Sequence, residues 1–116
     1  MRAFTSIEQS KKLAEILPIE SADMAYMAII EDYIYPQKVK EYRLTIKDEC
    51  FNLKYDIPAW SLAALLEQLE DTAGLAKDYG LWFCYDNRKS YCTKHYDNPV
   101  DACYEMIVKL KEKGLI

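Results

Sequence analysis

The sequence predicts an α+β domain in which an antiparallel sheet of four to five strands carries about three helices. Three observations predict it. Segments of alternating polarity such as "EYRLTIKD" are interspersed with amphipathic stretches that open on cap residues. The phrase "YDIPAWSLAALLEQL" at Tyr55–Leu69 returns forty-one residues later as "YDNPVDACYEMIVKL" at Tyr96–Leu110. With 51% hydrophobic and 29% charged residues, and only three Gly and four Pro, the 116-residue chain has the balance of one folded domain, spanning 1–116, and not of a disordered tail.

The elements follow in order. In "FTSIEQSKKLAEILP", Thr5 and Glu8 suit a capping box, Ile7, Leu13, Ala14 and Leu17 recur on one face, and Pro18 stops the turn, which predicts a first helix. The stretch "ADMAYMAIIEDY" is apolar on both alternating faces and too short for periodicity to decide over 24–31. Its aromatic and branched residues favour a buried strand. "EYRLTIKD" sets Tyr42, Leu44 and Ile46 against Glu41, Arg43, Thr45 and Lys47, the pattern of a strand with one wet face. A turn at Asp48 and Glu49 is expected to lead into "CFNLKY", so that 41–55 forms a hairpin. "GLWFCYDNRKSYCTKHYDN" reads as a second hairpin turning near Asn87 and Arg88.

Each hairpin runs into one copy of the repeated phrase. The copies share Tyr55 with Tyr96, Asp56 with Asp97, Pro58 with Pro99 and Leu69 with Leu110. Proline suits the first helical position, so both phrases read as a strand end followed by a helix start, with Trp60 a core anchor in the first turn of the earlier helix. Either a duplicated hairpin-and-helix unit or convergent helix-start chemistry accounts for this. In the last helix, Val100, Cys103, Met106, Ile107 and Leu110 form the buried stripe and Gly114 ends it.

Charge and motif content narrow the function. Net charge is −4, distributed as −1 over 1–45 (6 basic, 7 acidic), −5 over 46–86 (3 and 8) and +2 over 87–116 (6 and 4). Only the last quarter could meet phosphates, and nucleic acid is not the expected partner. No stretch approaches the roughly 20 apolar residues of a membrane span, and "MRAFTSIEQSKK" lacks an apolar signal core, so a cytoplasmic protein with reduced thiols is expected. The three glycines form no phosphate loop.

Cys84, Cys92, His95, Asp97 and Cys103 could supply zinc ligands, but there is no C-x2-C knuckle and Cys103 belongs to the core stripe. No metal or other cofactor is therefore expected. Cys92 and His95, three apart on a strand, point to opposite faces unless a bulge intervenes, so no catalytic residue is assigned and the pattern points away from an enzyme. A three-residue loop centred on Arg88 would place Cys84 opposite Cys92 as an oxidisable pair. A register pairing Cys84 with Tyr91 would exclude that pair.

Ten tyrosines exceed expectation. Most complete the core with hydroxyls reaching water, while some suit a recognition surface. The candidate interaction residues are Tyr85, Arg88, Lys89, Tyr91, Lys94, His95 and Tyr96 of the second hairpin. Three functions stay open: a non-catalytic module that self-associates or binds a protein through sheet surface or an edge strand, a nucleic-acid-associated regulator using the basic hairpin, and a small thiol or histidine enzyme or metal protein.

The blocks "TSIEQSKKLAEILPIESADM", "IPAWSLAALLEQL" and "DNPVDACYEMIVKLKEKGLI" resemble a group of short proteins of uncharacterised activity from gut Bacteroidales genomes and their phages or mobile elements. The resemblance covers most of the chain and is weakest over Ala25–Phe51 and Asp71–Tyr96. Relatives often read "PCWSLAALL" where this chain has Ala59, so no essential thiol is implied there. It carries over no ligand or catalytic residue and implies a small accessory protein of mobile-element origin.

Overall fold

A computed structural model describes residues 2–30 and 38–116. The chain is α+β, with three helices and two antiparallel three-stranded sheets among the described residues. The strands are thus divided between two sheets instead of gathered in one of four to five. Tyr33 and Tyr35 lie outside the described residues.

The first helix, α1, spans Ile7–Ala14. Its capping box is formed by Ser6 and Gln9, not by Thr5 and Glu8. Thr5 instead ties the helix to the core. It is fully buried, and its hydroxyl shares a 2.7 Å hydrogen bond with Ser10 and accepts from Trp60 N–H at 3.1 Å. Leu13 and Leu17 face the core as expected, and a 3₁₀ turn at Ile19–Ser21 follows.

The first sheet has β1 (Met24–Ile30) at its centre, between β2 (Val39–Ile46) and β3 (Ile57–Ala59). The apolar run at 24–30 is therefore a strand, as its branched and aromatic residues predict. The expected hairpin over 41–55 is overturned, because β2 pairs with β1 and the chain then breaks into turns. Asp48 accepts from Cys50 N–H at 2.9 Å and Asn52 from Lys54 N–H at 3.0 Å, side-chain bonds that compete with a strand ladder. Buried Asp56 holds the end of this loop by accepting from Asn52 N–H (2.8 Å) and from Ala28 N–H (2.9 Å) beyond the end of β3.

Pro58 is likewise not a helix start. It lies in β3 opposite Ala25, at a sheet edge where its missing N–H is tolerated. The second helix, α2 (Leu62–Glu67), opens instead on Ser61, whose hydroxyl accepts from Ala64 N–H. Trp60 precedes that cap. It is fully buried, with its indole N–H donating to Ser21 Oγ at 2.9 Å, so it anchors the core without being helical. The two repeated phrases consequently fold differently, and among the described residues they do not form a duplicated hairpin-and-helix unit.

The second sheet has the order β4 (Ala73–Asp78), β5 (Leu81–Asp86), β6 (Tyr91–Cys92). The β4–β5 hairpin turns on Tyr79 and Gly80, both at positive φ (51° and 81°), the backbone of a two-residue hairpin turn. Gly74 sits opposite Tyr85, and a Cβ there would meet the Tyr85 hydroxyl at 2.6 Å.

The last helix, α3 (Pro99–Glu112), matches expectation most closely. Asn98 caps it, Pro99 occupies the first turn, and the stripe of Val100, Cys103, Met106, Ile107 and Leu110 is buried. Gly114, at φ 70°, closes the carboxyl end, where its N–H reaches Lys111 O and Leu115 N–H reaches Leu110 O. This stripe packs on β5 and α2 and joins Leu13, Trp60 and Leu65 in the main core. A smaller cluster of Tyr26, Ile57 and Ala59, with Ile7, Met24, Tyr42 and Leu44, lies on one face of the first sheet.

Candidate functional site

The second hairpin forms where it was expected, with β5 pairing β6 through Asp86 opposite Tyr91 and Tyr85 opposite Cys92. Paired residues of an antiparallel ladder share a face, so Tyr85 and Cys92 lie on the side away from α3. Cys84 faces inward, opposite Thr93, whose hydroxyl accepts from Cys84 N–H at 2.9 Å and whose own N–H reaches Cys84 O. The anticipated Cys84–Cys92 pair is therefore corrected: one thiol is buried and the other exposed. The loop is one residue longer than that pairing required.

Cys84 meets Cys103 of α3 instead. The Cys103 thiol, hydrogen-bonded to Cys84 and buried, is held well above the ordinary thiol range. Both side chains are fully buried, which makes them packing residues without a path to a substrate.

Asp86, to which the sequence pattern assigns no role, organises the turn. It is buried and accepts from Thr72 Oγ1 (2.8 Å), Arg88 N–H (3.1 Å), Lys89 N–H (3.2 Å) and Lys89 Nζ (3.4 Å). Burial alone would raise its pKa, but these donors outweigh that effect and the carboxyl lies below its usual value. Lys89 Nζ also lies 3.4 Å from Glu70, and Arg88 lies 3.8 Å from the same carboxylate. The basic turn is answered by acids of its own chain.

The other candidates divide between the two faces. Tyr91 and Tyr96 pack inward against the main core. The Tyr91 ring lies 4.0 Å beneath Lys113 Nζ, and Tyr96 donates its hydroxyl to Glu105 at 3.1 Å. Burial, followed by that acceptor, pushes the Tyr96 phenol up to about 12. The second Glu105 oxygen accepts from Lys94 N–H at 2.8 Å, leaving the Lys94 side chain exposed.

Between the Cys84–Thr93 and Trp82–Tyr96 pairings, Lys94 and His95 together oppose the single residue Phe83. This β-bulge brings His95 to the outer face, its ring 4.8 Å from Phe83 and its Nε2 3.7 Å from Asp78. Cys92 lies on the same face, yet its thiol points to Thr93 O at 3.6 Å, so the histidine and thiol are engaged separately.

The outer face thus gathers Leu81, Phe83, Tyr85, Cys92 and His95. Phe83 and Tyr85 are half-buried with centroids 6.2 Å apart, and Leu81, Cys92 and His95 are exposed. Phe83 is not singled out by any motif, although "LWFCYD" alternates in a way that places it with Tyr85. Elsewhere, an open polar cleft of about 360 Å³ lies between the 3₁₀ turn and α2, lined by Glu20, Ser21, Asp23, Glu67 and Gln68 among others. Its Asp23 carboxylate is already taken by the Ser61 N–H and hydroxyl. Among the described residues no three His, Cys, Asp or Glu side chains converge on one point. No described helix is long and apolar enough to cross a membrane.

Comparison with protein-family models, with curated proteins and with solved structures finds no match to this chain.

Proposed function

We propose that this protein is a non-catalytic interaction module that binds another protein through the outer face of its second sheet. One observation carries the reading: α3 covers only the inner face, while Leu81, Phe83, Tyr85 and His95 stand on the other with no described helix packed over them. Aromatic rings held on a hydrogen-bonded sheet offer large contact area with little side-chain entropy left to lose. The turn cations Arg88 and Lys89 are met by Glu70 and Asp86 of the same chain, leaving Lys94 as the exposed cation of this hairpin, which favours an apolar protein surface over a phosphate backbone as the occupant. The resemblance noted above adds a context, an accessory protein of mobile-element origin acting in the cytoplasm.

Salt dependence separates this reading from nucleic-acid binding. Capture from cells with the tagged chain is expected to yield a discrete protein complex that persists into high salt, with no excess absorbance at nucleic-acid wavelengths. Nucleic acid released stepwise as salt rises would contradict the proposal. Changing Arg88, Lys89 and Lys94 to alanine would then abolish that binding.

A further inference from the structure

We infer that β2 is a self-pairing edge, through which two copies of this chain join their first sheets into one six-stranded sheet about a two-fold axis at Leu44. The inference deepens the interaction-module reading by naming one partner, a second copy. It uses a sheet other than the one bearing Phe83 and Tyr85, so either can fail alone.

The backbone dictates the register. Lys47 N–H bonds Asp23 O, so in the regular ladder from Glu41 to Lys47 the odd-numbered residues turn their amides toward β1. Ala28 N–H, aimed the other way at Asp56, agrees with this alternation. The amides and carbonyls of Tyr42, Leu44 and Ile46 therefore point outward from a sheet edge. A two-fold centred on Leu44 sets Leu44 against Leu44 and Tyr42 against Ile46, each pair able to exchange both backbone bonds.

Side chains agree with the backbone. On one face, Tyr42, Leu44 and Ile46 would form a continuous apolar band across both copies, covering Ile46, which is 70% exposed in the single chain. On the other face, Arg43 would meet Thr45 of the second copy, and Glu41 would lie opposite Lys47, whose ammonium is held by Ile19 O of its own chain at 2.6 Å and so puts no like charge against Glu41. A two-fold centred on Tyr42 fits less well, since it sets Lys40 against Leu44 and Lys38 against Ile46. Edge strands are commonly blunted by lysines and bulges. Here the register shift near Ile29 and Ile30 and the flanking Lys38 and Lys40 guard one end of β2, Lys47 at the other end turns its ammonium onto Ile19 O, and no described strand pairs with the outer edge from Tyr42 to Ile46.

Light scattering after size exclusion, over a hundredfold concentration range, tests the inference together with amide exchange. The expected result is a dimer whose Tyr42, Leu44 and Ile46 amides become protected as concentration rises. Ile46→Lys, at a position too exposed to support the fold, is expected to return the chain to a monomer with unchanged circular dichroism. A chain that stays monomeric at millimolar concentration overturns the inference. So does a dimer that survives Ile46→Lys or leaves those amides unprotected, and loss of such a dimer on Phe83→Ser would place association on the other sheet.

Discussion

Asp86 carries the largest single-residue consequence in the second hairpin. Its carboxylate satisfies a hydroxyl, two backbone amides and an ammonium while buried, so Asp86→Ala leaves all four donors without that acceptor. The expected loss is about 2 to 3 kcal/mol of unfolding free energy, read from denaturant midpoints. A change under about 0.5 kcal/mol, the usual range for surface substitutions, would contradict the assignment. The pH dependence has a definite sign. Because the folded-state value is depressed, the stabilisation is complete above the unfolded carboxyl range near ~4 and is lost as pH falls through the lower folded value. Stability of the Asp86→Ala chain should accordingly fall less steeply in acid than that of the parent. Sequence alone could not single out Asp86, since an Asp beside "NRKS" reads as an ordinary solvated turn residue until its burial is known.

Among the elements, the β4–β5 turn holds the clearest local conflict. Tyr79 is 98% exposed and sits at φ 51°, a conformation in which its ring is of no use to packing and its Cβ is unfavourable. Tyr79→Asn should raise stability by about 0.5 to 1 kcal/mol, because Asn-Gly is the preferred pair for this turn. Unchanged or lower stability would show that the turn is held by something other than backbone preference. The same oddity explains why this hairpin escaped prediction: "YG" lacks the Asn or Asp that marks a two-residue turn. By contrast α3 was fully legible, because its stripe, Pro99 and Gly114 all point to one answer. The repeated phrase misled because Pro58 and Pro99 have equal sequence context but different tertiary roles, an edge strand and a helix start. Of the candidate surface, the hairpin was legible and its faces were not, since the bulge at Lys94 and His95 shifts which side chains share a side.

At the scale of the whole molecule, Trp60 is where the parts meet. Its backbone N–H reaches Thr5, its indole reaches Ser21, and its ring packs in the core built on α3, immediately after the strand that completes the first sheet. Trp60→Ala should cost about 3 to 5 kcal/mol, a large share of the stability of a domain this size, and should broaden or shift unfolding monitored from either sheet. A loss below about 1 kcal/mol would mean that the two sheets do not depend on this junction. The central claim concerns the uncovered face of the second sheet, and its most direct test is to change that surface while leaving the core intact. Capture of protein partners from cells should be compared between the parent chain and a Phe83→Ser, Tyr85→Ser double variant whose circular dichroism and melting temperature match. The account predicts a discrete protein retained by the parent in high salt and lost with the variant. Equal retention by both chains would contradict it.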